Sequence, residues 1–306
     1  MRWPILTAWL LVEAVAAAQR SQAPAPLVKE NATVKVSDHV YVIPDDSVPL
    51  VPNVGIVVGS AATLVVDTGL GPRNGQAVLR EVAKISRNAR LYLVTTHYHP
   101  EHVAGMSAFP SGTTYVISSE QQKELDESGR QMIERFAGFS PTASELLRDA
   151  PLRRADVVFE REHSFDLGGV PIRLLALGRT HTRGDTMVFV PNDRVLLAGD
   201  VVMNRAFLAF GDQSSARTWL DVLDRLAPLQ ATTIVPSHGP IGGGSLVNEQ
   251  RDVLRAIEAR VRELKAQGRS ADDAARALTD DFRMRYPDWT GPNRVGAAVR
   301  SFYAES

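Results

Sequence analysis

From Thr33 onward the hydrophobic positions of the chain keep two rhythms in alternation. Val34, Val36, Val40 and Val42, then the runs 54–58 and 63–66, are rich in β-branched residues and broken by Pro, Asn and Gly, which predicts strands joined as hairpins. Residues 76–86 carry Val78, Leu79, Val82 and Ile85 at helical spacing and lead directly into the apolar run 91–95, so a helix precedes a strand. Residues 113–117 read as a further strand and 120–136 as a polar helix. The short apolar runs 170–177, 187–190 and 195–197 are separated by Gly, Pro and Asn turns, and they are followed by a helical pattern at 216–226 and a strand at 232–235. Past Gly242, Gly243 and Gly244, residues 246–264 form a long amphipathic pattern, and 271–282 and 294–303 continue it. Strands interleaved with helices predict an α/β chain, and no internal repeat stands out.

The first residues follow a different pattern. Arg2, an apolar run over 3–12 and the small residues Ala16, Ala17 and Ala18 predict an export signal over 1–18, with the mature chain starting near Gln19 and a periplasmic or secreted address. The run falls short of the ~20 residues that span a bilayer, and Glu13 interrupts it, so a stable membrane anchor is the weaker reading. Residues 19–32 read as a flexible leader, 33–240 as the main domain and 241–306 as a helical extension.

Composition narrows the chemistry. A 44% hydrophobic share of 306 residues supplies ample core, and 34 basic against 35 acidic side chains leave a formal charge of −1. No global field draws nucleic acid or an anionic membrane, so a small molecule is the expected partner and nuclease activity is disfavoured. The chain has no cysteine, which excludes disulfides and thiolate ligands and restricts any metal site to nitrogen and oxygen.

Three of the seven histidines lie in one hexapeptide, His97-Tyr98-His99-Pro100-Glu101-His102, just after an apolar strand. A strand opening into a loop can aim His97 and His99 to one side, and the turn forced by Pro100 can swing Glu101 and His102 to a neighbouring position. His181, Asp200 and His238 each follow an apolar run in the same way. Singly, each reads more simply as a surface, structural or capping residue. Repeated in one context, they predict a metal site assembled from strand-end loops.

These residues resemble the metallo-β-lactamase superfamily, through His97-x-His99-x-Glu101-His102, His181 in Thr180-His181-Thr182-Arg183-Gly184-Asp185, Gly199-Asp200 and Ser237-His238-Gly239. Asp67 in Val65-Val66-Asp67-Thr68-Gly69 resembles the first motif of that family. The resemblance covers residues 33–240. It implies a four-layered αββα sandwich, with a helical C-terminal extension here, and a zinc site at one edge between the sheets. It further implies that His97, His99 and His181 hold one zinc, that His102 and His238 hold a second, and that Asp200 bridges them. Asp67 would orient a ligand histidine from behind. One position departs: the family usually has Asp where this chain has Glu101, and the extra methylene bears on whether the second zinc is held.

The activity so implied is hydrolysis of an ester, thioester, lactone or lactam by a metal-activated water, with Asp200 able to take a proton from it. The cysteine-free ligand set with Asp200 looks closer to glyoxalase II and the lactonases than to the lactamases. Two alternatives use the same residues: a mononuclear iron oxygenase of the persulfide dioxygenase type, and a non-catalytic metal-binding protein disabled at Glu101. The segment 120–150 and the helical tail are expected over the metal edge. Phe207, Phe210, Trp219, Tyr286, Trp289 and Tyr303 are candidates for an apolar pocket wall but read first as core. Arg183 and Arg205 are candidate carboxylate anchors that read first as surface charge.

Overall fold

A computed structural model describes residues 25–305. The expected export signal and the start of the leader lie outside the described residues. Seven strands form one sheet in chain order: β1 (Val34–Lys35), β2 (Val40–Ile43), β3 (Val54–Val58), β4 (Thr63–Val66), β5 (Leu91–Val94), β6 (Thr114–Ser118) and β7 (Val157–Phe159). β1 to β4 are antiparallel neighbours, whereas β4 to β7 run parallel. Parallel neighbours require crossovers. α1 (Pro72–Ile85) supplies one, α2 (Pro100–Val103) lies in the next, and α3 (Ser119–Ala137) with α4 (Pro141–Leu147) precedes β7.

The second sheet has the order β13-β12-β11-β10-β9-β8, from β8 (Glu162–Asp166), β9 (Pro171–Leu175), β10 (Met187–Val190), β11 (Val195–Gly199), β12 (Thr233–Pro236) and β13 (Gly242–Gly243). Only β11 and β12 are parallel, and α5 (Ala216–Leu226) crosses between them. Three further helices close the chain: α6 (Ser245–Ala266), α7 (Ala271–Arg285) and α8 (Val295–Glu305).

Side-chain parity along the strands makes the layers. Val57, Leu64, Val66, Val94 and Val116 point inward and pack in one cluster with Leu174, Val188, Val190, Val195 and Leu197 of the second sheet. The opposite parity, Ile56, Val65, Leu93 and Ile117, packs outward on Ala77, Val78 and Val82 of α1 and Leu125 of α3. Leu175, Met187, Phe189, Leu196 and Ala198 face outward from the second sheet onto Trp219, Leu254, Phe282 and Phe302 of α5 to α8. Strands buried on both faces explain the unbroken apolar runs in the sequence, and each such side chain contributes about 1.5–3 kcal/mol. The result is the αββα sandwich that the resemblance implied.

Two expectations change. The helical tail does not lie over the metal edge: its apolar stripe is matched to the outer face of the second sheet, where Phe282 and Phe302 are buried. Residues 25–32, expected to be part of a flexible leader, lie along α1. There Val28 N–H donates to Asn74 Oδ1 at 2.8 Å, Asn74 Nδ2 donates to the Pro26 carbonyl at 2.9 Å, and Asn31 N–H donates to Glu81 Oε1 at 2.8 Å. Asn74 and Glu81 are buried polar groups of the helix, and the leader backbone satisfies them. No helix among the described residues is long and apolar enough to cross a membrane.

Candidate metal centre

Every residue singled out as a possible ligand sits just beyond the C-terminal end of a strand. β4 runs into Asp67 and β5 into Thr95, Thr96 and His97. Pro100 starts α2, so that His99 occupies its N-cap and Glu101 and His102 its first turn. From the second sheet, His181 follows β9, Asp200 follows β11 and His238 follows β12. The structure brings all of these together: the His97 ring lies 4.0 Å from His102 and 4.8 Å from His181, and His102 lies 5.6 Å from His238. The remaining histidines are elsewhere. His39 pairs with Asp193 at 2.9 Å, and His163 packs near Phe159.

The side chains form two groups able to hold a metal ion, His97 with His99 and His181, and Glu101 with His102 and His238. In the first, His97 Nε2 stands 3.0 Å and His181 Nε2 3.2 Å from His99 Nδ1. Asp200 belongs to neither group by that measure but adjoins the first, with Oδ2 3.6 Å from His181 Nε2, and also feels the charge of His102 and His238 of the second. The rings are held from behind. His181 Nδ1 donates to the Ala209 carbonyl at 2.6 Å, His238 Nδ1 to the Val51 carbonyl at 3.0 Å and His102 Nδ1 to Asp67 Oδ2 at 2.9 Å. Each such bond fixes the tautomer that leaves the Nε2 lone pair facing the site. Asp67 also accepts from Thr96 N–H at 2.7 Å and Thr96 Oγ1 at 3.0 Å. Its φ of 70° is unusual for a residue with a side chain and is the backbone cost of aiming this carboxylate.

Burial and mutual charge set the protonation. Burial first, and then the positive charge of neighbouring histidines, hold His97 and His99 well below the usual imidazole range. Burial pushes the Asp200 carboxyl up, but the surrounding imidazoles outweigh it and hold it down at about 2. Burial pushes Glu101 up. His102 is opposed by burial yet raised to about 9 by the charge and hydrogen bond of Asp67, with Glu101 and Asp200 adding to it. The pocket around His102 Nε2 is therefore tuned for positive charge, which a cation supplies as well as a proton does. Glu101 Oε2, His102 Nε2 and Asp200 Oδ1 are all buried and have no hydrogen-bond partner among the described residues. Leaving such atoms unpaired costs about 1–3 kcal/mol each, and a shared cation would relieve all three. The residues therefore fit the metal that the sequence implied, and the longer Glu101 side chain does reach the second group.

Sequence reasoning missed the supports. Asn53 Nδ2 donates to the Pro236 and Gly239 carbonyls at 2.9 and 2.8 Å, and Asp45 Oδ2 accepts from Gly239 N–H at 2.7 Å, clamping both sides of His238. Asp185 accepts from Thr182 N–H at 2.9 Å, from Thr182 Oγ1 at 2.6 Å and from Thr180 Oγ1, which encloses His181. Glu124 of α3 accepts from Arg183 and Gly184 N–H, both at 3.0 Å. A polar residue three after a threonine, as Asp185 is after Thr182, was the one local signal available for any of these.

A cleft of about 770 Å³ opens beside the first group, lined by Tyr98, Arg135, Phe136 and Phe139 on one side and Thr182, Arg183 and Phe210 on the other. The segment 120–150 contributes to it as expected. Of the aromatic candidates only Phe210 reaches the cleft; Phe207 and Trp219 are buried in the core, with Tyr286, Trp289 and Tyr303 packed against it. Arg183 lines the cleft but is paired with Glu127 at 2.6 Å, and Arg205 does not line it.

The sequence profile of the metallo-beta-lactamase superfamily matches residues 47–238, and the chain belongs to that superfamily. A linear primary-alkylsulfatase of Pseudomonas sp. (strain ATCC 19151) is 25% identical over 219 residues, which is 61% of this chain and 41% of that protein. A type 2 metallo-beta-lactamase of Bacteroides fragilis is 20% identical over 210 residues, 67% of this chain and 76% of the lactamase. Among solved structures, a metallo-beta-lactamase from Pontibacter korlensis superposes with a TM-score of 0.60 at 22% identity, covering 73% of this chain and 98% of its own. The stereoselective inverting sec-alkylsulfatase Pisa1 from Pseudomonas sp. reaches 0.67 at 14% identity, covering 90% of this chain and 50% of its own. These structural likenesses establish the fold. The chain spans about two fifths of the primary-alkylsulfatase and half of Pisa1.

Proposed function

We propose that the chain is a zinc-dependent hydrolase of an acyl compound, an ester, thioester, lactone or lactam, with two zinc ions per chain. His97, His99 and His181 would hold one ion, Glu101, His102 and His238 the other, and Asp200 would lie between them. The observation that carries this reading is the set of buried, unpartnered ligand atoms on Glu101, His102 and Asp200 beside three converging imidazoles. A donor set of imidazole nitrogen and carboxylate oxygen, without sulfur, suits zinc. When bound, the metal would supply Lewis-acid polarisation of a scissile carbonyl and a water of lowered pKa.

The chain's own residues do the rest. Asp67, Val51 and Ala209 hold three imidazoles in the tautomer that presents Nε2. Asp200, held down at about 2 by the imidazoles around it, stays ionised and would offer its carboxylate oxygens to an ion or as hydrogen-bond acceptors that orient the attacking water. Tyr98, Phe136 and Phe210 give the cleft beside the first group an aromatic lining for the substrate. Export belongs to the same proposal and rests on the sequence of residues 1–18 alone.

Sulfate-ester hydrolysis is a second reading, favoured by one observation. Pisa1 superposes on 90% of this chain, a share that residues 1–238 alone cannot supply, so the likeness extends into the helical tail. The test is metal content of the purified protein together with turnover of a lactone, a thioester, a β-lactam and a secondary alkyl sulfate. Two zincs and acyl turnover, with Glu101→Gln retaining a single ion, support the first reading. Turnover of the alkyl sulfate alone supports the second. Iron in place of zinc without any hydrolysis sinks both and favours the oxygenase.

A further inference from the structure

One wall of the cleft is a single face of α3. Glu124, Glu127, Ser128, Gln131 and Arg135 recur at spacings of three and four and turn toward the cleft together, with Phe136 beside them. Polarity changes along this face. At its N-terminal end Glu124 and Glu127 are engaged by Arg183, whose Nε and Nη2 lie 3.8 and 2.6 Å from them. At its C-terminal end Arg135 is exposed and, among the described residues, makes no side-chain hydrogen bond or ion pair. Next to it an aromatic series leads outward from the candidate ligands: the His99 ring lies 5.7 Å from Phe136, and Phe136 lies 4.8 Å from Phe139. Phe139 is 55% exposed, an unusual state for a large apolar side chain. Phe210 stands on the opposite wall, backed by Trp219 at 4.7 Å.

We propose that the cleft binds an amphiphilic anion, whose hydrocarbon part lies along Phe136, Phe139 and Phe210 and whose carboxylate or sulfate pairs with Arg135. The molecule's cleavable acyl bond, distinct from the anionic group, would then lie at the His99 end, a point that rests on the acyl-hydrolase reading, whereas the binding itself does not. Arg presents a planar fork that grips either anion with two parallel N–H donors. Asp212, also without a hydrogen bond or ion pair among the described residues, lines the Phe210 side and repels an anion from it, so Arg135 sets the orientation. A cleft of about 770 Å³ has room for a medium-length chain or a ring system.

The experiment uses probes with no cleavable bond: octane-1-sulfonate, octanoate and uncharged octan-1-ol, titrated calorimetrically into the protein as purified and after metal chelation. Both anions should bind, and Arg135→Gln should weaken them at least tenfold while changing octan-1-ol less than threefold. Phe139→Ser should weaken all three. The anion bound more tightly identifies the charged group of the substrate. Equal anion affinity in the wild type and Arg135→Gln, absence of anion binding, or anion binding that disappears on chelation would overturn the proposal. None of these results bears on metal-dependent turnover, and absence of turnover leaves the binding result intact, so the two readings fail separately.

Discussion

The carboxylate of Asp67 stands 2.9 Å from Nδ1 of His102, and both side chains are buried. Asp67 can only accept, so His102 must carry its proton on Nδ1 and present Nε2 toward Glu101. In Asp67→Asn the amide can donate instead, which moves the imidazole proton to Nε2, where it blocks ligation. We expect the second ion to bind roughly 10–100-fold more weakly, as measured by competition with a chromophoric chelator. Unchanged affinity in a folded Asp67→Asn protein would remove Asp67 from this role.

Glu124 is a buried carboxyl that burial raises to about 7, against the opposing N–H groups of Arg183 and Gly184. In the unfolded chain the group ionises near its ordinary 4.5, so between there and about 7 the folded state holds a proton that the unfolded state has lost. Its stabilising contribution is complete below 4.5 and declines as pH rises through that window, by on the order of 3 kcal/mol. Urea unfolding of wild type and Glu124→Gln at pH 5 to 8 isolates this contribution, because every other group is common to both. Parallel pH profiles for the two proteins would show that Glu124 does not titrate in this range.

Gly184 approaches the start of α3 so closely that an added Cβ would lie 2.2 Å from the Gln121 backbone nitrogen. Backbone cannot yield as a flexible side chain does, so Gly184→Ala pushes the 180–185 loop off the helix. The expected cost is about 1–3 kcal/mol of stability, with weaker metal binding through displaced His181. Denaturant midpoints and metal competition report the two effects. A variant with normal stability and normal metal affinity would show that the loop accommodates the methyl group.

Much of this was legible from residues whose spacing reports their setting. The apolar runs of β4, β5 and β11 mark strands buried on both faces, and histidines directly after such runs converge because strand ends share one edge of the sandwich. What was illegible has physical reasons. The partners of His181 and His238 are backbone carbonyls of Ala209 and Val51, which carry no side-chain signature. Asn53 acts on a carbonyl 183 residues away. β8 alternates between exposed and half-buried positions at the sheet edge and lacks the apolar run that announced its neighbours. Arg135 and Phe139 look like any charged helix position and any loop aromatic until the cleft is seen. The amphipathic tail revealed its stripe but not which surface that stripe covers.

The candidate ligands are divided unequally between the sheets. A single hexapeptide after β5 contributes two residues to each group, and each group is completed by one histidine from the second sheet, His181 or His238. Neither half of the sandwich holds a finished binding site. During synthesis the complete set does not exist until β12 has emerged and the sheets have docked, so ion capture would be a late event for a nearly folded chain. An ion held in either group would act as a rivet across the seam, and separating the sheets would mean releasing it.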